Sequence, residues 1–250
     1  MPRPSPRTPG RDGIRAILVL MTDLVESERR PAAVLFDMDG TLLDSERVWD
    51  IGLRELAWSY GGELSDDARL AMVGGSMETS MAILHDDIAQ PWRDAQTSAD
   101  ALITRMAELY QTELRWRPGA RELLDAVHDA GIPAALVTNT GRYLVDIALA
   151  VIGSHWFDAV VCGDEVSVGK PDPEPYLMAA RLLDVPVERC VAIEDSPTGV
   201  TSALAAGAAV IAVPHDAAVA PRRGLHIVDS LTAVDLPLLA DLADRAVPTP

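Results

Sequence analysis

Lysine is almost missing from this chain. Of 21 Lys and Arg residues only one is lysine: Lys170, between Gly169 and Pro171 in the stretch SVGKPDPEPY (167–176). A composition that writes arginine everywhere else and keeps one ammonium suggests a tight pocket, where a larger guanidinium that wants forked pairing would not serve. Positive charge as a whole is scarce, and the formal net charge is −17. That argues against nucleic acid as a partner, because a phosphate backbone attracts basic surfaces. It also means that an anionic substrate must be drawn in by local positive charge or a metal, not by the overall field. Cysteine occurs twice, at Cys162 and Cys190, each in an apolar strand-like run. Two reduced, buried thiols in a cytoplasmic protein are therefore expected rather than a disulfide. Long apolar runs are absent too. The stretch AILVLM (16–21) is too short for a membrane span or a signal-peptide core, so no membrane partner is expected.

What is present suits a globular fold. Apolar residues make up 48% and charged residues 24% of 250 positions, enough for one large domain or two small ones. The first 30 residues are rich in Pro, Arg and Gly and are expected to be disordered, with Met21 as an alternative start; the tail AVPTP is expected to fray. Six short apolar runs end in polar residues: 32–40, 133–140, 158–165, 190–196, 209–216 and 225–230. Helical patterns lie between them at 121–131, 142–153, 175–185 and 198–208, with Gly131, Gly153 and Gly207 as left-handed closures and Asp172 and Ser196 as N-caps. Strands alternating with helices imply an α/β fold, a Rossmann-like doubly wound parallel sheet. Residues 47–115 break the alternation with helical patterns at 47–62, 67–89 and 99–114 and no strand. They are expected to form an inserted α-helical cap domain, with the core made of 31–46 and 116–250.

In an open parallel sheet, function gathers at the carboxyl ends of the strands. The first run ends in Asp37, Met38, Asp39, Gly40 and Thr41, the second in Thr138, Asn139 and Thr140, and the fourth in Glu194, Asp195 and Ser196; Lys170 follows the third. Four acids brought to one edge are costly unless something positive holds them. Hard oxygen ligands with room for water fit Mg²⁺ better than Zn²⁺. A metal on Asp37 and Asp195 with one ammonium nearby prefers a phosphate, and helix N-termini after Thr140 and Ser196 would add backbone donors.

The segments DMDGTLLDSE (37–46), VTNT (137–140), GKPDPEPY (169–176) and EDS (194–196) resemble, in order, the four motifs of the haloacid-dehalogenase superfamily. The insert after the first motif resembles the C1-type cap of its β-phosphoglucomutase-like branch, and the resemblance covers roughly residues 31 to 235. It implies Asp37 as nucleophile forming an aspartyl-phosphate, and Asp39 as general acid and then base. It implies Mg²⁺ on the Asp37 side chain, the Asp39 backbone carbonyl and Asp195, with Glu194 a ligand or an outer partner. Thr138 and Lys170 would bind the phosphoryl group. Gly40, Asn139 and, in the cap loop GGSMETS (74–80), Gly75 and Ser76 complete the expected substrate contacts. The substrate class implied is a small phosphorylated metabolite, a sugar phosphate by default.

The departures from the family pattern narrow this reading. True dehalogenases lack the second acid, which is present here as Asp39. The phosphonatases use a cap lysine, and 47–115 contains none. The β-phosphoglucomutases carry a His twelve residues after the nucleophile and basic cap residues; Trp49 and Met77 stand here, which favours a phosphatase over a sugar phosphomutase. A receiver domain shares an acid cluster, a hydroxyl and a lysine but is about half this length, and it lacks both DxDGT and the insert. Arg142 reads as a solvated helix face, and His85, His128, His155, His215 and His226 show no metal spacing. Tryptophans Trp58, Trp92, Trp116 and Trp156 read as packing, and Trp49 as packing or pocket wall.

Overall fold

The apolar runs fold as the strands of one sheet because each is short, aliphatic and closed by turn residues. In the computed structural model, which describes residues 30–73, 75–215 and 218–246, they are β1 (Ala33–Phe36), β2 (Ala134–Val137), β3 (Ala159–Val161), β4 (Cys190–Glu194), β5 (Ala209–Ala212) and β6 (Leu225–Ile227). The N-terminal extension, Met21 and the last residues of the tail lie outside the described residues. All neighbouring strands are parallel, in the order β3-β2-β1-β4-β5-β6. The chain winds outward from β1 through β2 and β3, then returns past β1 to build β4 to β6. Winding reverses between β1 and β4, which opens a crevice at their carboxyl ends.

Between β1 and the helix that leads into β2 stand four helices with no strand among the described residues: α1 (Glu46–Ser59), α2 (Asp66–Met72), α3 (Met77–Asp87) and α4 (Ala95–Glu113). The chain leaves and re-enters the sheet side by side: Asp44 N–H donates to Arg115 O at 2.9 Å, and Arg117 N–H to Leu42 O at 2.8 Å. Leu53, Leu56 and Ala57 of α1 pack with Leu84 of α3 and with Leu102, Met106 and Leu109 of α4. Trp58 turns to the other face of α1 and is 81% exposed, and Trp92 is 76% exposed, so these two do not pack as expected. Trp116 and Trp156 do pack, edge to face at 5.5 Å.

The remaining helices are α5 (Ala120–Asp129), α6 (Arg142–Ile152), α7 (Glu174–Leu182), α8 (Pro197–Ala206) and α9 (Leu236–Ala246). Alternation along β1 divides them between two faces. Val34 and Phe36 meet Leu124 of α5, Val145 of α6 and Leu239 of α9; Ala33 and Leu35 meet Tyr176 of α7 and Val200 of α8. Each β1 side chain is fully buried, so truncating Leu35 to Ala costs about 2–5 kcal/mol.

Several expected boundaries move. The pattern over 67–89 is two helices, because Val73 is extended and the Ser76 hydroxyl accepts from Thr79 N–H and starts α3. Helix α4 begins at Ala95 rather than 99, since Asp94 caps it through Thr97 N–H at 2.8 Å. Asp172 accepts from Glu174 N–H at 2.9 Å, but Pro173 occupies the cap position of α7. Gly207 closes α8 in the left-handed region, whereas Gly153, at φ 96° and ψ 147°, does not adopt that conformation. Cys162 and Cys190 are free and buried, and no helix among the described residues is long and apolar enough to cross a membrane.

Candidate active site

Lys170 is held by three acceptors. Its Nζ donates to Asp37 Oδ1 at 2.7 Å, to Glu194 Oε1 at 2.6 Å and to the Val137 carbonyl at 2.8 Å. An ammonium has three hydrogens, and all three are used. Asn139 fixes the loop that carries it: its Oδ1 accepts from Lys170 N–H at 2.8 Å, and its Nδ2 donates to Lys170 O at 3.2 Å. Burial pulls the Lys170 pKa down, but Asp37 and Glu194 outweigh it and hold the pKa above the ordinary lysine value.

Asp37 follows β1 and extends its pairing with β4, its N–H donating to Ile193 O at 3.0 Å. Glu194 ends β4 with no exposure, and its Oε1 also accepts from the Tyr176 hydroxyl at 2.5 Å. Asp195 comes next, with Thr41 Oγ1 at 3.5 Å from its Oδ1. One carboxylate oxygen from each of Asp37, Glu194 and Asp195 can be chosen so that all lie within 4.8 Å of one another. Gly40, at φ +79°, admits this approach, because a Cβ there would fall 2.1 Å from Asp195 Oδ2.

Three carboxylates share one ammonium, and the imbalance is visible in their acidities. Burial, helped by the Glu194 charge, pushes Asp37 up to about 7. Burial and the Asp37 charge push Asp195 up to about 9. Asp37 Oδ2 is buried and has no hydrogen-bond partner. A buried acceptor left bare among like charges is costly, and a hard divalent cation relieves both problems. The donor set fits such an ion: all three groups are carboxylates, with no thiolate or imidazole among them.

The Asp39 carboxylate stands apart from this cluster and accepts from four hydroxyls. Ser45 Oγ (2.7 Å) and the Tyr110 hydroxyl (3.2 Å) donate to Oδ1, and Thr138 Oγ1 (3.1 Å) and Thr140 Oγ1 (2.7 Å) donate to Oδ2. Thr138, expected on a phosphoryl group, here serves Asp39 and accepts from Thr140 N–H at 3.0 Å. Ser45, Tyr110, Thr140 and Tyr176 are contacts that the sequence reading left unassigned. Ser45, Thr140 and Tyr176 lie inside recognised motifs; Tyr110, near the C-terminal end of α4, carries no local signal.

Above the cluster opens a cavity of about 1030 Å³. Asp37, Asp39, Thr138, Asn139, Lys170 and Asp195 line its sheet side, and Trp49, Arg69, Gly75, Ser76 and Met77 line it from the inserted helices. The Ser76 hydroxyl is engaged in capping α3. Gly40 and Glu194 sit behind the wall: Gly40 N–H is given to Leu43 O at 2.8 Å, and Glu194 to Lys170 and Tyr176. Arg69 pairs with Glu46 at 2.6 Å, and its Nε lies 3.5 Å from Asp50. Arg142 pairs with Glu165 at 2.6 Å, away from the carboxylates.

A doubly wound parallel sheet with buried acids and one buried lysine at its switch point defines an α/β enzyme with its cleft at the strand ends. The chain belongs to the haloacid dehalogenase-like hydrolase family, whose model, described as "Hydrolase: haloacid dehalogenase-like hydrolase", matches residues 31–207. A phosphorylated carbohydrates phosphatase of Thermotoga maritima is 34% identical over 70% of this chain and 81% of that relative. Hexitol phosphatase A of Escherichia coli is 33% identical over 81% of this chain and 94% of its own. The solved structure of CbbY from Rhodobacter sphaeroides in complex with xylulose-(1,5)bisphosphate has a TM-score of 0.71 at 28% identity, covering 81% of this chain and 95% of that one.

Proposed function

We propose that the chain is a Mg²⁺-dependent phosphatase of small phosphomonoesters, of the sugar-phosphate class, acting through an aspartyl-phosphate on Asp37. The observation that carries this reading is the bare Oδ2 of Asp37, set among three carboxylates and one lysine at the floor of the cavity. Lys170 orients Asp37 through Oδ1 and lends its positive charge to the phosphoryl group, whose non-bridging oxygens Thr138 holds. The Asp37 carboxylate attacks phosphorus; the ester P–O bond breaks, and protonated Asp39 gives its proton to the departing oxygen. Water then attacks phosphorus, Asp39 takes its proton, and the P–O bond to Asp37 breaks to release phosphate. Asp37, Asp195 and the Asp39 backbone carbonyl, with Glu194 as ligand or outer partner, would hold Mg²⁺, which would neutralise charge between the carboxylates and the ester. Residues 47–115 act as a cap that limits bulk water.

The relatives named as phosphatases of carbohydrates and hexitols support the substrate class. The mutase alternative needs a free cap cation for a second phosphate. Arg69, on the cavity wall, is paired through Nη2 with Glu46, while its buried Nε makes no hydrogen bond; the Glu46 pairing favours hydrolysis. The two free, buried thiols support a cytoplasmic setting.

The test is phosphate release from a panel of sugar, hexitol and nucleoside monophosphates and one sugar bisphosphate, with and without Mg²⁺. Release that requires Mg²⁺ and vanishes in Asp37→Asn is expected. Isomerisation of a hexose phosphate with trace bisphosphate, and no release, would identify a mutase. A stable acid-labile phosphoprotein without turnover would identify a receiver.

A further inference from the structure

Two buried hydroxyls from the inserted segment and its entry converge on one oxygen of Asp39. Ser45 stands at the N-cap of α1 but caps nothing: its backbone is helical, at φ −84° and ψ −21°, and its side chain accepts no N–H from the first turn. Ser65 and Ser76, at the caps of α2 and α3, both accept such a bond. The fully buried Ser45 hydroxyl is instead given to Asp39 Oδ1 at 2.7 Å. Tyr110 belongs to the apolar stripe of α4 with Leu102, Met106 and Leu109, where a phenylalanine would fill the same space. A buried phenol hydroxyl needs a partner. Tyr110 finds it in the same Oδ1 at 3.2 Å.

We propose that Ser45 and Tyr110 are positioning residues for Asp39: they anchor Oδ1 from the cap side and so fix the angle at which Oδ2 meets the leaving oxygen. The proposal rests on the reading of Asp39 as the general acid and base. Its physical basis is that proton transfer tolerates little misalignment, and a carboxylate gripped by one edge keeps one plane. Thr138 and Thr140 grip the other oxygen, and Thr138 has a second use on the phosphoryl group. When Thr138 turns to substrate, Thr140 keeps its bond to Oδ2, and Ser45 and Tyr110 keep the grip on Oδ1 that fixes the carboxylate plane.

The experiment compares Tyr110→Phe and Ser45→Ala with the parent chain in single-turnover reactions on two esters. In sorbitol 6-phosphate, or whichever alkyl phosphate the panel ranks first, the departing alkoxide needs a proton; in p-nitrophenyl phosphate the departing phenolate does not. Each variant is expected to lose about tenfold in ester cleavage on the alkyl phosphate and under about twofold on the aryl phosphate, with KM nearly unchanged. Asp39→Asn should show the same selectivity with a larger loss, and Asp37→Asn should fail on both esters. Equal losses on the two esters, or none on either, would overturn the positioning role while a selective loss in Asp39→Asn leaves the acid–base reading intact. An Asp39→Asn variant without that selectivity would instead overturn the reading of Asp39, and the proposal with it. Should Tyr110→Phe fail to fold, as judged by thermal unfolding, Ser45→Ala carries the comparison, since it removes no helix cap.

Discussion

Lys170 sits in a socket shaped for a tetrahedral donor, and its three acceptors come from three segments: the end of β1, the end of β2 and the end of β4. A planar guanidinium cannot direct its hydrogens at all three. Lys170→Arg, conservative in charge, is therefore expected to lower kcat by about 10²-fold or more, and steady-state kinetics will check this. Gly199 makes an opposite-signed test of the same cluster. In the first turn of α8, alanine would ordinarily gain up to about 1 kcal/mol, but a Cβ there would lie 1.9 Å from Glu194 Oε1. Gly199→Ala should destabilise by about 2–4 kcal/mol in urea unfolding; a gain in stability would show that Glu194 is free to move. At this scale the acids were legible in the sequence because each terminates an apolar run, and Lys170 because it is unique. Ser45 and Tyr110 were not, because a hydroxyl beside a helix start and a tyrosine in an apolar stripe look like capping and packing until the fold brings Asp39 between them.

The strands were readable because burial on both faces demands continuous aliphatic runs, which few other elements require. The helices of the insert were readable only as a group. Their breaks depend on cap chemistry, as at Ser76 and Asp94, and a polar first turn such as Ala95–Ser98 hides the start of α4. Helix α9 follows the last strand, outside the alternation that marks the other helices, and buries an apolar stripe through Leu239 and Ala243. Packing between these elements also sets a pH dependence. His85 of α3 is buried against Ser98 of α4, its Nε2 2.9 Å from Ser98 Oγ, and Ser98 Oγ also meets the Tyr60 hydroxyl at 2.9 Å. Burial, with the Arg93 charge adding to it, lowers the His85 pKa below its ordinary 6.5. A depressed histidine pKa means that the unfolded chain binds the proton more readily. The stability it confers is present above about pH 6.5 and lost as pH falls through the folded value. NMR titration of the His85 ring should give a midpoint below 6.5, and thermal unfolding should weaken below that pH less in His85→Gln; a midpoint above 6.5 would contradict the packing argument.

Across the whole molecule, the carboxylate cluster sets stability against function. Cation at a hundredfold excess over its dissociation constant stabilises by about 2.7 kcal/mol, so adding Mg²⁺ to chelated protein should raise Tm by about 5–10 °C for a chain of this size. Asp195→Asn removes the carboxyl that crowding forces to take up a proton on folding and should raise the Tm of the chelated protein while abolishing the Mg²⁺ response and the activity. A lower Tm in that variant would mean that Asp195 is structurally compensated in a way the cluster geometry does not suggest. The route of the chain has a further consequence. Leu43 and Trp116 bridge antiparallel where the chain leaves the sheet and returns to it, so the seventy or so residues between them are spliced into the core at a single paired doorway. Such a doorway lets evolution, or an engineer, exchange the whole segment without rethreading the sheet, and so change what the cavity admits while the strand ends stay as they are. Ser45 and Tyr110 set the condition on that exchange: a transplanted segment that lacks their hydroxyls would arrive with a new pocket and leave Asp39 loose.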